Sequence, residues 1–390
     1  MQEKESKKTL ATFSIASFLN DLGAYMVYPV WPLFVTGFLG ANMATLGFLD
    51  GLGDSLVSIS QAFSGLLSDR LKKRKFFIWL GYLFGAFSRI GYAASTAWQQ
   101  LIPYKILDRS GKIRDAPRDA IIADISTGQN RGKNFGILRA MDKLGGVCGI
   151  IACIALFAFL GYQKLFFLAA IPSFIAAALV FRIIKEKKIV HAAEAVENEK
   201  AKFSLKKFGK NFKLFVLLNS VFALGSFSYS FLLIFANQAG IEPIFIPVLY
   251  LFFMVFASLS SIPFGKIADK IGRKPVMLIA FALWILVCVT FITTQSFLAI
   301  ILSFIAYGLH EGAINPVQRA FVSEIGPKEF RASSLGFFEM AIGLCALPSS
   351  IIAGLLWDKI GKFMPFYFSI AVTIIAIIML FFIKEKTRAG

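Results

Sequence analysis

Residues 104–120 read YKILDRSGKIRDAPRDA, eight charged side chains set among apolar neighbours. Lys105, Asp108, Arg109 and Lys112 follow i, i+3, i+4, i+7, the spacing that places them on one face of a helix. Lys105, Asp108, Arg109, Lys112, Arg114, Asp115, Arg118 and Asp119 nearly neutralise one another. Further polar and charged positions fall in other apolar runs: Asn20 and Asp21, Asp50 and Asp54 on one helical face, Arg89, and the trio Arg139, Asp142 and Lys143. A carboxylate that faces a movable cation changes its proton affinity when the partner moves, so protonation and conformation become linked. On this reading Asp21, Asp50 or Asp54 binds a proton, with Lys105 or Arg109 as the switchable partner. The competing reading is a static ion network that braces the first half of the chain. Asp115, Arg118 and Asp119 lie near the end of their run and lean towards that bracing role.

The second half holds fewer such groups: His310 and Glu311, Arg319, and Glu339. His310 and Glu311 are adjacent, so they point about 100° apart on a helix and need not act together. His310 titrates in the right range for coupling, or is a satisfied contact between helices. Tyr25, Tyr28, Trp31, Phe227, Tyr229 and Phe231 are placed to flank a cavity for an organic, amphipathic solute, or to pack.

These groups need elements to carry them. The chain has 390 residues, 57% hydrophobic and only 16% charged, with 43 Phe. Apolar runs long enough to cross a bilayer recur throughout, which predicts an all-α membrane protein. Twelve spans are expected at roughly 9–38, 42–68, 76–97, 98–122, 132–160, 164–184, 211–238, 243–266, 276–295, 297–322, 331–356 and 362–383. A rise of about 1.5 Å per residue then puts Asp21, Asp54 and Arg109 near mid-membrane. The opening MQEKESKKTLATFSIASF lacks a small-residue cleavage site and reads as the first span rather than a signal peptide. Alternate connections are rich in Lys and Arg; the others hold only Lys164, Lys359 and Lys362. The positive-inside rule places both termini and the basic loops in the cytoplasm. The formal net charge of +18 is therefore a topology signal, with anionic lipid headgroups as its partners and no nucleic acid implied. The four cysteines sit inside apolar runs without metal or disulfide spacing.

The chain also repeats itself. GLLSDRLKKRK at 65–75 and FGKIADKIGRK at 264–274 place Gly65 and Gly265, and Asp69 and Asp269, at one offset of 200. Arg131 and Gly136 match Arg331 and Gly336 at the same offset, and Ala120, Asp124 and Ile125 match Ala320, Glu324 and Ile325. Three regions in one register indicate a duplicated unit. The expected organisation is a six-helix bundle over 1–184, a cytoplasmic linker over 185–210, and a second six-helix bundle over 211–390.

With this plan the chain resembles the major facilitator superfamily along essentially its whole length. The family's loop signature G-x-x-x-D-[RK]-x-G-[RK]-[RK] is matched by Gly265, Asp269, Lys270, Gly272, Arg273 and Lys274; the first copy, with Gly65, Asp69 and Arg70, departs only at Lys72. LGAYMVYPVWP, with Leu22, Gly23, Pro29, Val30 and Pro32, is similar to a motif of twelve-span drug–proton antiporters. Gly136, Gly145 and Gly149 match the first part of another antiporter motif, whose later positions are Ile150, Cys153 and Ile154 here. A basic span-4 motif lands on Leu101, Lys105, Asp108 and Arg109, with lysine for its arginine and arginine for its glycine.

The resemblance implies two six-helix bundles related by a pseudo-twofold axis. It also implies that Asp69 and Asp269 are gate residues rather than substrate ligands. Physically, a glycine near a helix end would permit close helix approach, and the aspartate one turn later would pair with Arg or Lys. No nucleotide-binding loop, zinc-type His pair or G-x-S-x-G is present, so no enzyme and no cofactor is expected and a gradient must drive the work. The expected function is proton-coupled export of a small drug-like or metabolite solute by a monomer in the plasma membrane of a prokaryote. The alternative is a ferroportin-like exporter of a divalent metal ion or metal chelate, for which Asp21, Asp50, Asp54, His310 and Glu311 supply ligand types. A sensor or lipid scramblase is a third reading.

Overall fold

A computed structural model describes residues 2–71, 73–127, 130–184, 208–327 and 331–385; the linker expected at 185–210 lies almost wholly outside them. The described chain is helical. The helices are α1 (Gln2–Val27), α2 (Met43–Leu71), α3 (Arg74–Ala94), α4 (Leu101–Ser110), α5 (Asp115–Asp124), α6 (Arg131–Ile183), α7 (Lys210–Gly225), α8 (Tyr229–Gln238), α9 (Ile246–Ile271), α10 (Arg273–Thr293), α11 (Phe297–Ile325), α12 (Arg331–Lys359) and α13 (Met364–Phe381). Among the described residues, eight helical stretches are long and apolar enough to cross a membrane. One of them, α6, has 53 residues and breaks at Gly161, where φ is +64°, so it makes two passes. The pairs α4–α5 and α7–α8 make one pass each, and with α2 and α3 the count reaches twelve.

Several of the breaks have local causes. The apolar run predicts a first span reaching residue 38, but α1 stops at Val27 and a turn precedes the short helix Trp31–Leu33. Pro29 and Pro32 remove two backbone donors there and exclude a continuous helix. Between α4 and α5 the backbone tightens to a 3₁₀ turn over Gly111–Arg114. Between α7 and α8 the chain is non-helical at 226–228, and the Ser228 hydroxyl accepts from the Ser230 N–H to restart the helix.

The contacts define two compact units: residues 1–34 with 56–202, and 35–55 with 203–390. The first is built round α1, α3, α5 and both passes of α6, with Phe13, Ile78, Tyr82, Ile122, Leu138 and Val180 buried at its centre. α1 lies against α6 so closely that a Cβ at Gly145 would collide with the Phe18 carbonyl and one at Gly149 with that of Leu22. Backbone contact of this kind is the ordinary means of joining helices in lipid, where apolar burial alone gives no preference for protein over hydrocarbon. A Cβ at Gly136 meets nothing within 4 Å.

The second unit has an aromatic core. Phe235 meets Phe291 edge to face at 5.2 Å. Phe291 in turn stacks on Phe366 at 5.4 Å. Both are geometries that the ring quadrupole favours. The Trp284 indole N–H donates to the Ser369 hydroxyl at 2.7 Å, which settles the one polar atom of that ring. The start of α2 belongs to this unit. Asp358 on α12 accepts from the N–H groups of Met43 at 3.2 Å and Ala44 at 2.8 Å. It thereby caps α2 with a charge of the sign that a helix N-terminus favours. Large apolar side chains on the outer surface, such as Phe159 and Ile262, are exposed as lipid-facing residues should be.

Candidate substrate cavity and gate

A cavity of about 150 Å³ opens inside the first unit. α1 contributes Asn20, Asp21, Tyr25 and Tyr28, and α3 contributes Arg89. Asp108 and Arg109 come from the end of α4, and Lys112 and Arg114 from the turn that follows. A hydrogen-bonded chain runs along one wall. Arg89 donates to the carbonyls of Ala169 and Asn20, each at 3.2 Å, and makes a short contact with the Ser173 hydroxyl. Ser173 donates to Asn20 Oδ1 at 3.0 Å, and Asn20 Nδ2 donates to Asp21 Oδ1 at 3.1 Å. The Asn20 amide is thus oriented from both ends, and Asp21 presents a carboxylate with no ion-pair partner among the described residues. Lys112, Arg114 and Asp142 are near enough to act on it electrostatically.

The span-4 stripe does not act as one surface. Asp108 lies 3.6 Å from Arg109 and accepts from Ser88 at 3.3 Å. Arg109 donates to the Tyr28 hydroxyl at 3.2 Å, and Tyr28 meets Tyr25 edge to face at 5.1 Å. Lys105 is buried away from this cavity, its ammonium 4.1 Å from the centre of the Trp31 ring. That is a cation–π contact. Nearer the basic-loop end, Asp115 faces Lys112, Arg114 and Arg118 at 3.7–3.8 Å, while Arg118 and Arg139 share Asp119 and Asp142. This last cluster, in which every charge faces an opposite one, has the character of a brace.

The remaining sequence candidates go elsewhere. Asp50 is buried in the second unit, where the hydroxyls of Ser228 and Ser230 donate to one of its oxygens at 2.8 and 2.5 Å. Asp54 is exposed, although it lies one turn from Asp50. Glu339 pairs with Arg319 at 2.8 Å, with side chains 45% and 64% exposed, so neither faces a cavity. His310 and Glu311 border a smaller cavity of about 140 Å³ with Asn219, Asn315 and Gln318. His310 is 1% exposed; its Nδ1 lies 2.8 Å from the Ala280 carbonyl and its ring packs beside Trp284 and Phe222. Glu311 accepts from Asn315 at 2.6 Å, and Gln318 donates to Asn219 at 2.7 Å. Phe227 and Phe231 are packed in the aromatic core.

Of the gate residues, the side chains of Gly65, Asp69 and Arg70 lie outside the described residues. In the second copy Arg273 donates to Asp269 at 2.7 Å and to Glu324 at 3.0 Å, tying the ends of α9, α10 and α11 together. The Arg273 side chain is buried, and the hydrogen bonds from it to Glu324 and Asp269 offset the loss of water around its charge. Lys270 is exposed. Among the described residues, no atom stands within 4 Å of a Cβ built at Gly265. Gly272 has the special backbone, with φ +101°, and beside it Glu385 accepts from the N–H groups of Arg273, at short range, and Lys274, at 3.1 Å, capping α10. In the first copy Arg74 pairs with Asp124 at 2.6 Å, so each repeat ties the start of a helix to the acidic residue at the end of another.

Spacing puts Lys112 on one face with Lys105, Asp108 and Arg109, but nothing in the sequence assigns Lys112, Arg89 or Arg114 to a cavity rather than to a brace. The same holds for Glu385, which is distant in sequence from the helix it caps. A lone arginine amid the apolar residues of α3 was the legible signal for Arg89.

Ionisable groups enclosed by membrane-length helices define a polytopic membrane protein with a polar interior. The chain belongs to the Major Facilitator Superfamily, whose family model matches residues 13–257 and again 214–390. It is 34% identical over 392 residues to an uncharacterized MFS-type transporter of Methanocaldococcus jannaschii, covering 98% of this chain and 96% of the other. It is 26% identical over 322 residues to a probable 4-methylmuconolactone transporter of Cupriavidus pinatubonensis, covering 76% and 72%. Similarity to the quinolone resistance protein NorA of Staphylococcus aureus is 28% over 133 residues, about a third of each chain. Among solved structures, a nucleoside transporter superposes with a TM-score of 0.78 at 15% identity, covering 97% of this chain and all of that one. A D-xylose–proton symporter superposes with a TM-score of 0.76 at 17% identity, covering 99% of each. The protein is therefore a multi-pass membrane transporter of small molecules with the major facilitator fold, and not an enzyme.

Proposed function

We propose that this transporter couples movement of a small organic solute to protons by alternating access, and that Asp21 carries the coupling proton. One observation carries the reading. Asp21 lines a partly enclosed polar cavity, holds a single hydrogen bond from Asn20 and lacks a direct ion pair, while cations stand around it. A carboxylate so placed can gain and lose a proton without breaking a salt bridge, and its charge acts on every other group in the cavity. Asp50, held by two serine hydroxyls, and Asp54, exposed, are poorer candidates. The metal-ion alternative has no comparable support: among the described residues no three His, Cys, Asp or Glu side chains gather as an ion site requires.

The span-1 motif and the partial similarity to NorA speak for export, whereas the positive charge of the cavity speaks for co-transport with the proton and so for uptake down an inward proton gradient; the direction of solute movement in the flux assay separates the two. The distribution of Lys and Arg favours cytoplasmic termini, with anionic headgroups against the basic loops. The relatives favour the plasma membrane of a prokaryote, and the two repeated halves, 1–184 and 211–390, make a monomer sufficient for transport. The test is proton flux in proteoliposomes carrying an internal pH dye, with solute exchange measured separately. Asp21→Asn is expected to abolish gradient-driven flux while preserving exchange. Undiminished flux in Asp21→Asn, with Asp50→Asn inactive, would reassign the proton.

A further inference from the structure

The first unit's cavity has the wrong sign for a cationic drug. Four cationic side chains line it, Arg89, Arg109, Lys112 and Arg114, against two carboxylates, Asp21 and Asp108. Asp108 is already engaged with Arg109. The other carboxylates near these helices, Asp115, Asp119 and Asp142, face Arg118 and Arg139 as well as Lys112 and Arg114, so they reduce the excess by one charge and leave it positive. Arg89 carries the argument furthest. It is buried, and an arginine does not deprotonate in practice. Among the described residues its hydrogen bonds all go to neutral acceptors: two carbonyls and a serine hydroxyl. A full positive charge is thereby fixed in the wall of a partly enclosed site, where charges are less screened than in bulk water. Tyr28 adds a hydroxyl and an aromatic face beside Arg109.

We propose that the solute is a small organic anion, a carboxylate or phosphate ester, whose charged group binds between Arg89 and Arg109, and that it moves in the same direction as the proton. The proposal rests on the transport reading above and adds its substrate class and the sense of coupling. The sense follows from linkage. A proton on Asp21 makes the cavity one unit more positive, so proton and anion each strengthen the other's binding by the same factor. A cationic solute would instead compete with the proton, which is the logic of exchange. Asp21 on α1 faces Arg89 from α3, Arg109 and Asp108 from α4, and Lys112 and Arg114 from the following turn. Asp142 is on α6. No other lining group is ionisable except Tyr25 and Tyr28. The cavity volume of about 150 Å³ is that of a pocket known to take a benzene ring, so a benzoate-sized probe is suitable.

The experiment uses the full-length transporter in phosphatidylcholine bilayers and reads intrinsic tryptophan fluorescence against benzoate, phenyl phosphate, benzylammonium and benzyl alcohol. Benzoate or phenyl phosphate is expected to bind roughly tenfold or more tightly than the cation and the neutral alcohol, and the better of the two names the anionic group. Arg109→Gln is expected to remove that preference; Arg89→Lys, which keeps the charge where Arg89→Gln risks misfolding, is expected to retain part of it. Preference for benzylammonium, or an equal or absent response to all four, overturns the proposal. Loss of the benzoate response when phosphatidylglycerol is added assigns the cavity to a lipid headgroup and also overturns it. Anion affinity is expected to rise as the pH falls in the parent and to be flat in Asp21→Asn. Anion preference with an unchanged pH step in Asp21→Asn leaves the substrate class standing and removes the proton from Asp21. Cation preference with proton flux lost in Asp21→Asn does the reverse.

Discussion

Ser230 donates its hydroxyl hydrogen to Asp50 at 2.5 Å, across 180 residues of sequence. With Ser228 on the same oxygen, the pair ties the N-terminal part of α2 to the start of α8 inside the second unit. This makes Asp50 a packing carboxylate held in place by neutral donors.

Replacing Asp50 by Ala strands the buried Ser230 hydroxyl and the half-buried Ser228 hydroxyl, and replacing Ser230 by Ala removes one donor from a buried carboxylate. Each is expected to cost about 1–3 kcal/mol. The double variant is expected to cost less than the sum of the two, because the groups share one interaction. Thermal unfolding of the purified protein measures this, and additive losses would show that the bond contributes little.

The contact of α1 with α6 depends on hydrogen atoms where side chains would otherwise be. Gly145→Val and Gly149→Val are expected to destabilise by at least about 1–3 kcal/mol through overpacking against Phe18 and Leu22. Gly136→Ala is expected to be neutral, since open space surrounds it. Monodispersity and melting temperature after purification distinguish the three.

Glu385 reaches back over more than a hundred residues to cap α10. Glu385→Ala is expected to lower stability by about 0.5–2 kcal/mol, and Glu385→Gln by less, because an amide oxygen still accepts. Helix-specific hydrogen exchange at 273–276 is the sharper readout: faster exchange confined to that turn is expected.

The acidic partners of the Arg273 clasp are partly exposed and therefore screened. The clasp is expected to add about 0.2–1 kcal/mol. An arginine keeps its charge throughout the neutral and mildly alkaline range. The Arg273 contribution should therefore be constant between about pH 7 and about pH 10, as measured by the melting-temperature difference between the parent and Arg273→Gln.

His310 is expected to act as a packing group beside Trp284 and Phe222. His310→Ala should cost about 2–4 kcal/mol through the void it leaves, while the pH profile of transport stays unchanged. A shifted profile in a well-folded His310→Gln variant would return His310 to the coupling machinery.

The number of passes, the all-α class and the family were legible in the chain, because lipid imposes a length and a composition on every span and the repeat preserves one offset of 200. The break at Gly161 falls between two expected spans, whereas the stop at Val27 ahead of Pro29 and Pro32 was missed by a first span drawn to residue 38. Partnership was another matter. Asp21, Asp50 and Asp54 look alike in a linear reading, each an aspartate in an apolar run. Folding gave one a cavity, one a pair of serines and one an exposed face, since a helix has many faces and the neighbours alone decide what each meets. Arg89 shows the same division. Its cost in lipid was evident from its type, but its neutral acceptors, and with them the surplus positive charge of the cavity, came only from bringing Asn20, Ala169 and Ser173 to one point.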